Sequence, residues 1–357
     1  MKVKMICCVM AVLMLLGLCT ACQPTAAQPQ ESSTAEATQA PATTDAAAAP
    51  AADEKIVIAW AANMLSHEFM QRVKTGMESR CADVGAELVV GDGNLDVAKQ
   101  ISDIENFVAQ QVNAIVVTPV DNKALDTAVA GANKANIPII AEANKVAGTL
   151  TCVGANFVQH GYDTGAMLAD LLPEGVQAKI LIIGLPEFDD CRQLVEGFKQ
   201  AIDELGIDYE IVAEVNGKGM KETALSLATD ALTAHPDVNV IYGINDDSAF
   251  GGLQAYTAAG LNVDDLILFT HGFEGNAAGK AIMEDGVNLS GYAMFPEMWG
   301  FNMVDAAMAA IAGDELPEIW ESPGITMTAA QYSDYYSKVG DEYVLDIAAV
   351  KAQFGID

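Results

Sequence analysis

From residue 56 onward the chain alternates between two hydrophobic rhythms. Residues 56–60 form a short apolar run rich in β-branched side chains, which reads as a buried strand. Phe69, Met70, Val73, Met77, Cys81 and Val84 then recur at helical spacing, and Gly85 supplies the stop. The pair repeats as a strand over 87–90, a turn over 91–94 and a helix marked by Val97, Ile101, Ile104 and Val108. A strand over 114–117, a helix over 124–135 and a strand over 137–140 follow. After Asn156 strands are expected at 179–183, 210–213, 238–242 and 266–269, with helices at 193–205, 222–234, 249–259 and 277–285. Regular alternation of strand and helix argues for parallel sheets covered on both faces. The expected fold class is therefore α/β, with two successive doubly wound parallel-sheet lobes.

The first 53 residues follow neither rhythm. Lys2 and Lys4, an apolar run over 5–18 and small residues before Cys22 read as a secretory leader over 1–21. Such a run is too short for a comfortable membrane span. The stretch Leu18-Cys19-Thr20-Ala21-Cys22 resembles a bacterial lipobox, with lipidation expected on Cys22; Cys19 stands where that motif usually has leucine. From Gln23 to Ala52 there is no Val, Leu, Ile, Met or aromatic residue. Such a segment buries too little apolar surface to offset its ordering entropy, so residues 22–53 read as a lipid-anchored, disordered linker. As a coil it reaches about 30 Å, enough to keep a folded body near a membrane partner.

Composition removes some functions. Acidic residues outnumber basic ones 49 to 18, and phosphate binding needs clustered Lys and Arg, so no nucleic-acid partner is expected. Of seven cysteines, only Cys81, Cys152 and Cys191 fall in the folded part, without a CxxC pair. They are expected as small buried apolar residues, with no disulfide framework, metal site or cofactor. No GxSxG, HExxH or GxxxxGK[ST] pattern is present, which argues against an enzyme.

Several segments together resemble the type 1 periplasmic binding protein family, the ribose-, galactose- and glucose-binding branch. They are Asp96-Val97-Ala98-Lys99-Gln100-Ile101-Ser102-Asp103-Ile104-Glu105-Asn106, Ala114-Ile115-Val116-Val117-Thr118-Pro119-Val120-Asp121 and Ala135-Asn136-Ile137-Pro138-Ile139. Thr233-Ala234-His235-Pro236-Asp237-Val238 and Asn245-Asp246-Asp247 follow in order. The resemblance implies a three-segment hinge, with an N-terminal lobe of residues 54–156 plus 295–321 and a C-terminal lobe of 157–294 plus 322–357. It implies capture of a sugar or sugar-like polyol by a monomeric, lipid-anchored, extracytoplasmic protein that hands the ligand to an ABC importer permease. A ligand-sensing subunit of a receptor stays open as the alternative. Repressors of the same fold need a helix-turn-helix where this chain has its leader and linker.

In open α/β sheets ligands bind beyond the carboxyl ends of the strands, so candidate residues follow each strand. The resemblance points to Asn245 and Arg192 as ligand-bonding amide and guanidinium, and to Glu274 in place of the family's usual aspartate. His67, Phe69 and Met70 open the first helix at the same edge; Asn144, Asn156, Phe273 and Met294 complete the expected set. Bland roles remain open beside these: a turn or helix cap for Asn245, solvent for Glu274, core for Phe69 and a capping group for His67. An aromatic that sandwiches the sugar ring is missing near residues 218–220, so the site is not expected to copy the ribose or glucose site closely.

Overall fold

The computed structural model describes residues 55–356. The leader over 1–21, the linker over 22–53 and the lipidation of Cys22 lie outside the described residues. In chain order the elements are β1 (Val57–Ala62), α1 (Glu68–Val84), β2 (Glu87–Asp92), α2 (Val97–Ala109), β3 (Ala114–Val117), α3 (Asp126–Lys134), β4 (Ile139–Glu142) and β5 (Cys152–Gly154). Then come α4 (Phe157–Leu171), β6 (Ala178–Gly184), α5 (Asp189–Glu204), β7 (Tyr209–Asn216), α6 (Lys221–Ala234), β8 (Val240–Gly243), α7 (Asp246–Ala258) and β9 (Ile267–Gly272). The remainder is α8 (Gly275–Met283), β10 (Leu289–Ala293), α9 (Pro296–Ala312), β11 (Ile319–Glu321), β12 (Ile325–Thr328), β13 (Tyr336–Val339), β14 (Glu342–Leu345) and α10 (Ile347–Phe354).

Two six-stranded sheets result, in the orders β2-β1-β3-β4-β5-β11 and β7-β6-β8-β9-β10-β12. The first is parallel throughout, and in the second only β12 runs antiparallel, against β10. Buried on both faces, their central strands are continuous apolar runs such as Ala114–Val117, as parallel sheets require. The chain passes from the first sheet to the second after β5, returns after β10 and passes again after β11, so three crossovers join the lobes.

Each lobe packs one helix pair through mutual glycines. A Cβ on Gly76 of α1 would collide with the Glu297 carbonyl of α9, and one on Gly300 with the Val73 carbonyl. In the second lobe Gly161 of α4 faces Leu194 of α5 and Gly197 faces Val158 in the same manner. Close approach of backbones is thus written into both lobes. A layer from 329 to 354 buttresses the second lobe: the Tyr343 ring fills the space over Gly279, and the Tyr332 hydroxyl donates to the Gly275 carbonyl at 3.1 Å.

Some boundaries move, with consequences for the cleft. β4 begins at Ile139, because Pro138 has no N–H to give the ladder, and runs on to Glu142. α5 starts at Asp189, four residues before the apolar period becomes visible at Gln193. α4 and α9 lack a clean helical period; α9 buries residues around its whole circumference, including Trp299, Phe301, Met303 and Val304. Cys81 and Cys152 are buried and Cys191 half-buried, all three as free thiols.

Candidate functional site

The carboxyl ends of both sheets face each other across a cavity of about 420 Å³. From the first lobe it is lined by Asn63 after β1, His67, Phe69 and Met70 at the start of α1, Thr118 after β3, and Glu142 and Asn144 at the end of β4. From the second it is lined by Glu187 after β6, Asp190, Cys191 and Leu194 on α5, Asn245 after β8, and His271 and Glu274 at the end of β9. Phe157, Met294 and Trp299, beside the crossovers, close the seam. Each sheet thus presents its strand ends at the position where its strand order reverses, the general ligand crevice of open α/β folds.

Hydrogen bonds fix the polar groups across the gap. Asn245 caps α7: its Oδ1 accepts from the Ser248 amide at 2.9 Å, which leaves Nδ2 to donate to the Gly219 carbonyl at 3.1 Å and to His67 Nε2 at 3.0 Å. His67 Nε2 is therefore an unprotonated acceptor, and burial lowers the imidazole below its ordinary pKa against the pull of Asp247. On the other side Asn144 Nδ2 donates to Asp190 Oδ1 at 3.1 Å, and the Asp190 amide donates back to Asn144 Oδ1 at 3.2 Å. Asn122 reaches Asp189 Oδ2 at 3.1 Å, and Glu68 Oε1 accepts from the Asn276 amide at 2.8 Å. The bonds of Asn245 to Ser248 and Gly219 stay within the second lobe, and the others join one lobe to the other.

Beneath the rim the groups are dry. Gln100, fully buried, donates to the Ala61 and Thr118 carbonyls and accepts from the Val120 amide, tying the ends of β1 and β3 together. Trp60 Nε1 donates to Thr118 Oγ1 at 2.9 Å, which frees the threonine hydroxyl to donate to Glu142. Burial still pushes the Glu142 carboxyl up to about 8, with Asp190 adding to the rise. Glu274 rises well above its usual range through burial first and then the charges of Asp246, Glu68 and Asp247. Asp246, at about 6, is raised by burial and partly held down by Thr270 Oγ1 and the Phe273 and Glu274 amides. His271, at about 3, is neutral through burial, its Nε2 paired with the Tyr242 hydroxyl at 2.7 Å. Glu142 Oε2, Glu274 Oε2, His271 Nδ1 and Trp299 Nε1 are buried and carry no hydrogen-bond partner within the protein.

Seven of the ten expected site residues, His67, Phe69, Met70, Asn144, Asn245, Glu274 and Met294, meet in this cavity. Three do not line it. Arg192 lies two positions beyond Asp190 on α5, a turn of about 200°, which carries its guanidinium out of the cavity lining. There it is half-exposed, donates to the Pro186 carbonyl at 2.6 Å and pairs with Asp189. Asn156 is engaged as the cap of α4, accepting from the Gln159 amide at 3.1 Å. Phe273 has φ 56°, which swings its ring into the second lobe's core, at 0% exposure, and aims Glu274 into the cavity instead. Glu142, Asp190, Thr118, His271 and Trp299 were not anticipated. The true end of β4 would have exposed Glu142, and the helical wheel of α5 drawn from Asp189 would have exposed Asp190. Trp299 carries no local signal, since α9 is apolar on every side.

A ring-sized apolar bed does exist, though not near residues 218–220. Trp299, 1% exposed, packs against Phe157 at 6.0 Å between ring centroids and against Phe69 at 6.2 Å in an edge arrangement. Among the described residues no group of His, Cys, Asp and Glu has the arrangement of a metal site, and no helix is long and apolar enough to cross a membrane.

The family model "Periplasmic binding protein domain" matches residues 58–315, and the chain belongs to that family. It is 27% identical over 275 residues to the ribose import binding protein of Bacillus subtilis, spanning 76% of this chain and 86% of the relative. Among solved structures it is similar to an ABC transporter periplasmic solute binding protein from Actinobacillus succinogenes with bound D-allose. That match has a TM-score of 0.71 and 26% identity, covering 79% of this chain and all of the other. An ABC transporter solute binding protein from Bacillus halodurans with bound myo-inositol matches with a TM-score of 0.71 and 25% identity, covering 80% of this chain and 98% of the other.

Proposed function

We propose that this protein captures a sugar or sugar-like polyol between its two lobes and delivers it to an ABC importer. The observation that carries the reading is the cavity itself, about 420 Å³, in which both lobes leave buried polar atoms without partners around an aromatic bed. A polyol ring presents hydroxyls that donate and accept over an apolar face, and so matches such a lining group by group. The ribose, allose and inositol named for its relatives support the same class.

Because partners come from both lobes, ligand binding favours the closed arrangement over an open one, and closure is the signal an importer can read. Charge-assisted hydrogen bonds in a dry cleft are worth about 1.5–3 kcal/mol each, so a few of them reach the roughly 8 kcal/mol that micromolar affinity needs. In this reading the protein acts outside the cytoplasm as a monomer, held to the membrane by a lipid on Cys22, and performs no chemistry on its cargo.

A thermal-shift screen of sugars and polyols followed by calorimetry tests it. At least one is expected to bind with a Kd of about 10 μM or tighter, to be recovered unchanged, and to make the protein more compact in solution scattering. If none of them raises the melting temperature and the scattering curve never changes, the proposal is wrong.

A further inference from the structure

The charges around the cavity do not balance. Glu142, Asp190 and Glu274 line it, the exposed Glu187 and Lys218 stand at its rim, and the Arg192 guanidinium is engaged by the Pro186 carbonyl and Asp189. The one imidazole at the rim, His67, has its Nε2 already taken by Asn245. In a site for a neutral polyol, a guanidinium fork commonly shares the ligand hydroxyls with the carboxylates and neutralises them; no arginine lines this cavity. With no counter-charge at hand, burial keeps the Glu142 carboxyl protonated at neutral pH; a bound cation favours its ionised form and takes the place of that proton.

The geometry singles out one place for that partner. Glu142 is 1% exposed, its Oε2 has no hydrogen-bond partner, and it shares the cavity wall with Asp190. Asp190 is tied by Asn144 at 3.1 Å through Oδ1. The groups acting on Glu142 are the Thr118 hydroxyl at the end of β3 and the Asp190 carboxylate on α5; the cation that reaches the neighbouring Cys152 thiol on β5, Lys145, is paired with the exposed Glu318. Glu274 is less available, because its Oε2 is folded over Gly272 toward Asp246.

Resting on the polyol reading above, we infer that the ligand carries an ammonium group, which docks between Glu142 and Asp190 while its hydroxylated ring lies near Trp299. The ligand class is an amino sugar or aminated cyclic polyol. The N–H bonds donate to Glu142 Oε2 and to the Asp190 carboxylate, and the ligand supplies the cation that the chain withholds from its cleft.

Calorimetry at neutral pH on the full chain, with D-ribose, D-allose and myo-inositol and the single-position aminodeoxy analogues of each, decides the matter. One amine is expected to bind at least about tenfold more tightly than its own hydroxyl parent, the strength gained by making a hydrogen bond charge-assisted. In Glu142→Gln that preference is expected to shrink below about threefold; Asp190→Asn provides the same test should the first variant not fold. If a parent binds and no amine exceeds it, the ammonium inference fails and polyol capture stands. If the amine preference survives both substitutions, the placement between Glu142 and Asp190 is wrong. If neither parents nor amines bind, the capture reading itself falls.

Discussion

The two lobes repeat one topology yet furnish the cleft differently. Both sheets follow the same strand order, and both place a left-handed residue directly after an equivalent strand, Ala143 after β4 and Phe273 after β9, each with φ 56°. Two positions past those strand ends stand Asn144 in the first lobe and Glu274 in the second, both in the cavity. The first lobe sets one carboxyl of its own, Glu142, among Thr118, Asn144 and an aromatic bed. In the second, Glu274 belongs to a packed group with Asp246 and Asp247, which Glu68 joins from across the cleft. The backbone device is shared, and side chains alone make one wall amide-rich and the other acidic. In the proposed reading the scaffold fixes where a ligand sits, and a handful of rim residues fix what it is.

The strongest way to break the symmetry is at the glycine pairs. Gly197→Leu and Gly76→Leu each drive a side chain into the facing helix backbone, and each is expected to cost about 3 kcal/mol or more, since backbone cannot yield as a side chain does. Denaturant titration of the two variants should show equal damage if the lobes are mechanically equivalent, and unequal damage if the C-terminal layer shields the second. Asn245→Ala comes next: it removes a helix cap worth about 1 kcal/mol together with the bond to His67. Ligand affinity is expected to fall by about tenfold or more, a loss calorimetry should read directly.

A pH series reads the buried carboxyls of both walls, which burial raises alike. Burial holds Glu142 at about 8 and Glu297 at about 7, so the folded protein keeps protons that the unfolded chain gives up near 4.5. Stability carried by those protons is complete below that value and lost as pH rises through 7 and 8. His160 and His271, lowered to about 4 and about 3, change stability only below their ordinary value of 6.5. The melting temperature of the ligand-free protein is therefore expected to drop by several degrees between pH 6.5 and 8.5, and Glu142→Gln should remove part of that slope in scanning calorimetry, Glu297 and Glu274 carrying the rest. The smallest effect belongs to Arg192→Ala, for which less than about twofold change in affinity is expected, because its guanidinium is already engaged by the Pro186 carbonyl and Asp189. A tenfold loss there would show that the helix turns its other side to the ligand.

Much of this was legible before any coordinates. Strands such as 114–117 coincide with the observed β3, and seven of ten expected site residues share one cavity. These features depend on short-range patterns: β-branched runs bounded by turns, and polar residues just past them. Arg192 and Asp190 show the limit, since both precede the visible apolar period of α5 and only the true start of that helix tells which of them faces inward.

By itself the sequence determined the alternating α/β order, the acidic surplus and the strand ends from which a cleft had to be built, because each is local to a few consecutive residues. Tertiary structure alone decided that Trp299, on a helix apolar all round, closes the seam, that Phe273 turns inward, and that Glu142 and Asp190 meet across the lobes. Those outcomes depend on packing between segments far apart in the chain, and no local pattern carries that geometry.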